Sequence, residues 1–161
     1  LQACCLAERT TIRYVKPHGA LYHRVMHDDE AARAMTDAIA TFDAALVVLG
    51  MAGSAFLEAA DHHGLRVARE GFLDRGIRAD GTLVPRGEPG DLIHDPQVVA
   101  QRALRMVDEG VVETVDGGTI PIQVDSLCIH GDGANAALLL RAVRETLERH
   151  RIRIAAFAGP T

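Results

Sequence analysis

Short apolar runs alternate with stretches of helical periodicity along most of this chain, and the alternation predicts its elements. Residues 1–9 read as the end of an amphipathic helix, and residues 12–15 as a buried strand closed by Lys16 and Pro17. Helical periodicity follows over 20–26. A second helix runs from Asp28 or Asp29 to about Thr41, its acidic residues at the end favoured by the helix dipole. Residues 45–49 are β-branched and apolar enough for a central parallel strand. Gly50 and Gly53 then open a helix over 54–63 that Gly64 stops, and residues 66–69 form a third strand ending at Glu70-Gly71-Phe72.

The alternation then breaks. Asp80-Gly81, between Ile77 and Leu83, signals a hairpin, and residues 86–90 form a Pro/Gly-rich loop. Asp95 caps a helix with Pro96 at its first position and Gly110 just past its end; Val99, Ala103, Met106 and Val107 share its apolar face. Residues 111–115 and 119–124 read as a second hairpin around Asp116-Gly117-Gly118. Residues 127–129 return to the sheet, and a helix over 134–150 carries Ala136, Leu140, Val143 and Leu147 on one face. Residues 152–157 read as a last strand. Repeated βα units imply an α/β protein with a mainly parallel sheet, either an open sandwich or part of a barrel, in a single domain over 1–161.

Composition narrows the function classes. Seventeen Lys and Arg against 22 Asp and Glu leave a formal charge of −5, which argues against nucleic acid as a partner. No apolar stretch is long enough to span a bilayer, so no membrane role is expected. Cys4, Cys5 and Cys128 show no metal-ligand spacing, and a reduced compartment, the cytoplasm, is the default expectation. The chain does not begin with Met, and it reads as truncated at its N-terminus.

Candidate chemistry gathers at strand-to-helix corners. Lys16-Pro17-His18-Gly19-Ala20-Leu21-Tyr22 follows the first strand, where α/β proteins place ligands. His18 suits a general base, a hydrogen-bond donor or a metal ligand, and Gly19 admits close approach to the backbone. Lys16, two residues earlier, shares the side of His18 and suits a carboxylate or phosphate. Leu127-Cys128-Ile129-His130-Gly131-Asp132-Gly133 repeats the arrangement; Asp132 either caps the next helix, orients His130, or does both. In Arg69-Glu70-Gly71-Phe72-Leu73-Asp74-Arg75, Glu70 and Asp74 suit acid/base or orienting work, and Arg69, Arg75 and Arg86 suit an anion. A surface salt-bridge cluster is the competing reading. No Walker A, GxGxxG or GxSxG sequence is present.

These segments, in this order and with Asp80-Gly81-Thr82-Leu83-Val84-Pro85-Arg86 between them, closely resemble the LamB/YcsF family. The resemblance implies a distorted (β/α) barrel of the glycoside hydrolase/deacetylase type, of which this chain matches the C-terminal two-thirds. It lacks the upstream acidic strand and histidine segments that the family carries, so the N-terminal part is expected to be missing. The resemblance further implies an ATP-dependent 5-oxoprolinase that opens 5-oxo-L-proline to L-glutamate, with Mg accompanying ATP as co-substrate, B and C subunits as partners, and a homo-oligomer as a further option.

A lactam is a poor electrophile with a poor leaving group, so coupling to ATP suggests phosphorylation of the amide oxygen before water attacks. In that scheme Lys16 or Arg75 steadies the carboxylate or phosphate, and Gly19, Arg86 and Asp132 complete substrate binding. His18 and His130 move protons, while Glu70 or Asp74 positions water or an imidazole. No metal site is expected under this reading. Two alternatives stand beside it: a metal-dependent deacetylase or hydrolase of the same barrel type with His18 or His130 as ligands, and a non-catalytic scaffold subunit.

Overall fold

A computed structural model describes residues 1–159. They form two compact units, Leu1–Arg69 with the segment from Phe157, and Glu70–Ala156.

The first unit begins with α1 (Gln2–Ala7), which buries no residue. Strand β1 (Tyr14–Val15) leads into α2 (Gly19–His27) and α3 (Asp29–Asp43), followed by β2 (Val47–Met51), α4 (Ala55–His62) and the start of β3 (Arg66–Phe72). Strands β1 and β2 run parallel, Tyr14 opposite Val47 and Val15 opposite Val48. Helices α2, α3 and α4 pack on one another, with Val25, Ala32, Ile39, Val48, Phe56 and Leu65 in their core. Local chemistry sets the helix ends. The Asp28 carboxylate accepts from Ala31 N–H at 3.0 Å, Ser54 Oγ accepts from Leu57 N–H, and Gly64 takes the left-handed φ of +71° that ends α4.

Two strand expectations change. The first strand is two residues long rather than four and is half-exposed, because it pairs along one edge only. Residues 152–157 form no strand. Their apolar alternation finds no ladder partner among the described residues; Phe157 instead packs edge-on against Tyr14, 5.1 Å between centroids, and against Val47, Leu49 and Ala68.

The second unit takes the end of β3 into a long loop, then α5 (Pro96–Leu104), a π-helical turn (Arg105–Glu109), β4 (Val111–Glu113), β5 (Thr119–Pro121), β6 (Ser126–Cys128) and α6 (Ala136–Arg149). Strands β3 and β6 are parallel, with Glu70 opposite Ser126, Gly71 opposite Leu127 and Phe72 opposite Cys128. The second expected hairpin forms as β4 and β5, antiparallel. The first contracts to an isolated bridge, Ile77 to Leu83, around the turn at Gly81.

Asp95 caps α5 through Gln97 and Val98, as its sequence predicts, and α5 packs against α6. The π turn widens the helix before Gly110 closes it at φ +67°. That extra residue per turn rotates the surface, so Val99, Ala103 and Met106 are buried while Val107 is exposed. On α6 the buried stripe is Leu139, Val143, Thr146 and Leu147; Leu140, expected inside, faces out.

Candidate active site

The register of β3 against β6 builds the densest polar arrangement. Glu70, Gly71 and Phe72 of β3 each sit opposite the residue 56 positions later, and the same offset continues past the strand ends to Asp74 and His130. Leu73 N–H donates to Cys128 O at 3.0 Å, and the next step brings Asp74 to His130. Alternation places Glu70, Phe72 and Asp74 on one side of the strand. On the other side lies Gly71, where a Cβ would come within 2.7 Å of Val124 Cγ1 and 3.0 Å of Met106 Sδ, so those two side chains close over the position.

Asp74, 4% exposed, receives two bonds from one residue. The His130 main-chain N–H donates to Oδ2 at 2.9 Å, and His130 Nδ1 lies 2.9 Å from Oδ1 and 3.0 Å from Oδ2. A carboxylate offers acceptors only, so Nδ1 carries the hydrogen and Nε2 is left with its lone pair for a substrate or water. The Phe72 ring stacks on the imidazole at 5.6 Å with 16° between planes. The imidazole is thereby fixed in tautomer, direction and plane, which is what a general base requires. Glu70 is buried on the same side of β3.

The charged residues after Asp74 are placed as a frame. Arg75 is 2% exposed; its Nε donates to Asp91 O at 2.9 Å and its Nη2 to Val84 O. Burial, then the neighbouring Arg86 charge, lowers the Arg75 pKa, against the pull of Asp91 and Asp74. These bonds stitch the 75–93 loop together, with Gly76 N–H donating to Asp91 O and Ile93 N–H to Asp74 O. Arg86 is exposed on that loop, and Arg69, expected with it as an anion holder, lies on β3. Asp132 is exposed in the turn after His130. It does not cap α6, whose N-cap is Asn135 with no side-chain bond, because the turn inserts further residues before the helix begins.

In the first unit the Lys16–Tyr22 corner forms as the sequence predicts. His18 is the exposed N-cap residue of α2, in extended conformation, and makes no side-chain cap bond. Gly19 has φ +60°, a backbone conformation that favours glycine, and a Cβ there would meet nothing within 4 Å. Lys16 Nζ lies 5.6 Å from the centroid of the buried Tyr22 ring, within cation–π range. Cys128 is half-buried on β6, which pairs along one edge only.

Sequence reasoning passed over two residues near His130. Phe72 was assigned no role, although it precedes Asp74 by two and so shares its side of the strand. Arg102 was overlooked altogether; its signal was a lone cation between Val99, Ala103 and Met106 on the apolar face of α5. Burial lowers its pKa to about 10, against a smaller upward pull from Glu113. Among the described residues, no three His, Cys, Asp or Glu side chains gather as metal donors, and no helix is long and apolar enough to cross a membrane.

The LamB/YcsF family matches residues 1–161. A Pseudomonas syringae pv. tomato protein, named as an A subunit of 5-oxoprolinase, is 45% identical over 159 residues, covering 99% of this chain and 62% of its own. The Streptomyces avermitilis protein of the same name is 47% identical over 158 residues, covering 98% and 63%. The crystal structure of a lactam utilization protein from Thermus thermophilus superposes with a TM-score of 0.88 at 44% identity, over 96% of this chain and 61% of that one. The chain thus spans a little over six-tenths of the length of the relatives it matches.

Proposed function

This chain belongs to the LamB/YcsF family, and from that premise we propose that it carries catalytic residues of the A subunit of an ATP-dependent 5-oxoprolinase, which hydrolyses 5-oxo-L-proline to L-glutamate. The observation that carries the reading is the Asp74–His130 pair, an imidazole held through Nδ1 with Nε2 open. Relatives named as 5-oxoprolinase A subunits, at 45% and 47% identity, support the substrate class.

In this reading His130 Nε2 takes a proton from the water that attacks the ring carbonyl carbon. Asp74 keeps the imidazole in register and stabilises the imidazolium that forms. The C–N bond of the lactam then breaks, and its nitrogen leaves as the amine of glutamate with the proton that His130 took from the water. Glu70 positions the water or the imidazole. Arg86 and Asp132, in the same unit as His130, complete substrate binding. Arg75 is assigned to the loop frame, because two of its guanidinium N–H groups already serve main-chain carbonyls.

ATP with Mg is the co-substrate of the complex. The fold assigned is the distorted (β/α) barrel. Two parallel strand pairs with flanking helices support it, each with an outer strand paired on one side only. Partnership with the B and C subunits and a cytoplasmic location belong to the same reading.

The test uses the full-length protein assembled with its partner subunits. His130→Gln is expected to abolish most ATP-coupled release of glutamate from 5-oxoproline. Unchanged turnover in His130→Gln overturns the assignment.

A further inference from the structure

We propose that Arg102, on α5, is a positioning residue for the Asp74–His130 pair. The guanidinium lies 3% exposed and points into the bend where β3 ends. Nε donates to Phe72 O at 3.4 Å, Nη2 to Arg75 O at 3.2 Å, and Nη1 to Glu113 O at 2.9 Å. The first two carbonyls bracket the Leu73–Asp74 step. The third ties the same fork to β4. The Glu113 carboxylate stands 3.9 Å away and is half-exposed, so main-chain oxygens are the cation's close partners.

A buried cation is retained only where its geometry is good and its donors are answered. Arginine suits this place because its planar guanidinium directs five N–H groups in fixed directions, three of which here reach carbonyls on separate pieces of backbone. The remaining main-chain groups of the bend are also held. Leu73 N–H donates to Cys128 O, and Asp74 O accepts from Ile93 N–H. With both neighbouring carbonyls clamped by Arg102, the Asp74 peptide has little freedom to tilt. The Asp74 carboxylate in turn sets the direction of the His130 ring. Arg102 therefore acts on the imidazole through Asp74 without touching it. Lowering of the Arg102 pKa by burial is consistent with a cation kept for its donors rather than for solvation.

The catalytic part of this inference rests on the proposed lactam hydrolysis; the positioning part does not. The test is made on the full-length protein, with and without its partner subunits, in Arg102→Gln, Arg102→Met and Arg102→Lys. The first readout is hydrogen exchange at the His130 amide, which donates to Asp74. Exchange there is expected to accelerate in Arg102→Met and Arg102→Gln toward the rate in Asp74→Ala, with Arg102→Lys between these and the parent. The second readout is turnover. The kcat for 5-oxoproline is expected to fall roughly 10- to 100-fold while KM moves by no more than about twofold, and Arg102→Lys is expected to recover part of the loss. Combining Arg102→Gln with Asp74→Asn is expected to cost little beyond Asp74→Asn alone, since both act on one imidazole.

His130 amide exchange unchanged in folded Arg102→Gln or Arg102→Lys, with only a lower melting temperature, overturns the positioning role. If Arg102→Met does not fold, those two variants still decide the point. A parent complex that leaves 5-oxoproline intact defeats the proposed function, whereas the exchange measurement still judges Arg102.

Discussion

Asp74 and His130 meet because two parallel strands keep one register beyond their ends. Residues 70, 71 and 72 face 126, 127 and 128, and the same offset of 56 brings the Asp74 carboxylate to both the main-chain N–H and Nδ1 of His130. Two bonds from one residue to one carboxylate make the arrangement rigid. The prediction is direct: in the full-length complex, Asp74→Asn and His130→Gln each lower kcat for lactam opening by about 10²- to 10⁴-fold. Asparagine offers one acceptor oxygen where two donors need answering, so the imidazole loses its fixed tautomer. Nitrogen-15 shifts of His130 check this, and an Asp74→Asn protein with the parent's tautomer and rate counts against the pair.

Helix α6 separates periodicity from packing. Leu139 is 5% exposed and Leu140 58%. Leu139→Ala is expected to destabilise the protein by about 2–5 kcal/mol, as buried leucines do. Leu140→Ala is expected to change it by less than about 0.5 kcal/mol. Urea unfolding of the two variants measures the difference, and equal losses refute the assigned face.

Gly76 has no room for a side chain. A Cβ there would overlap the Gly90 carbonyl oxygen and lie 2.8 Å from Val115 Cγ1. Gly76→Ala is expected to cost about 1–3 kcal/mol, because main chain cannot move aside as a flexible side chain does. Thermal unfolding tests it; a melting temperature equal to the parent's shows that the loop relaxes freely.

Asp28 ties stability to acid. The Ala31 N–H, and then Arg24 at 2.6 Å, hold its carboxyl below the ordinary value of 3.8. Between that lowered value and 3.8 the unfolded chain binds more protons than the folded one, so stability falls as pH drops through this window and is complete above it. Asp28→Asn keeps an acceptor for the cap without the titrating charge. The stability difference between parent and variant is expected to shrink from about pH 6 to about pH 2.5, and a constant difference across that range excludes the linkage.

The sequence by itself determined the order of elements, because hydrophobic period, caps and glycine stops are local properties. Asp95 and Pro96 start α5, Gly110 ends the π turn, and Asp116-Gly117-Gly118 turns the second hairpin, all where their chemistry requires. The Lys16–Tyr22 and His130–Asp132 corners, and the family they point to, were equally legible. What the sequence left open was which carboxylate serves His130: Glu70 and Asp74 were both available, and Asp132 lay nearer along the chain. Only the pairing of β3 with β6 decided it, since a contact across 56 residues depends on strand register and not on local preference. Tertiary packing also chose Leu139 over Leu140, left residues 152–157 without a ladder, and turned Arg102 inward onto three carbonyls. In each case the deciding quantity was what the rest of the chain placed beside a residue, and a lone arginine on an apolar stripe shows that only as an irregularity in the pattern.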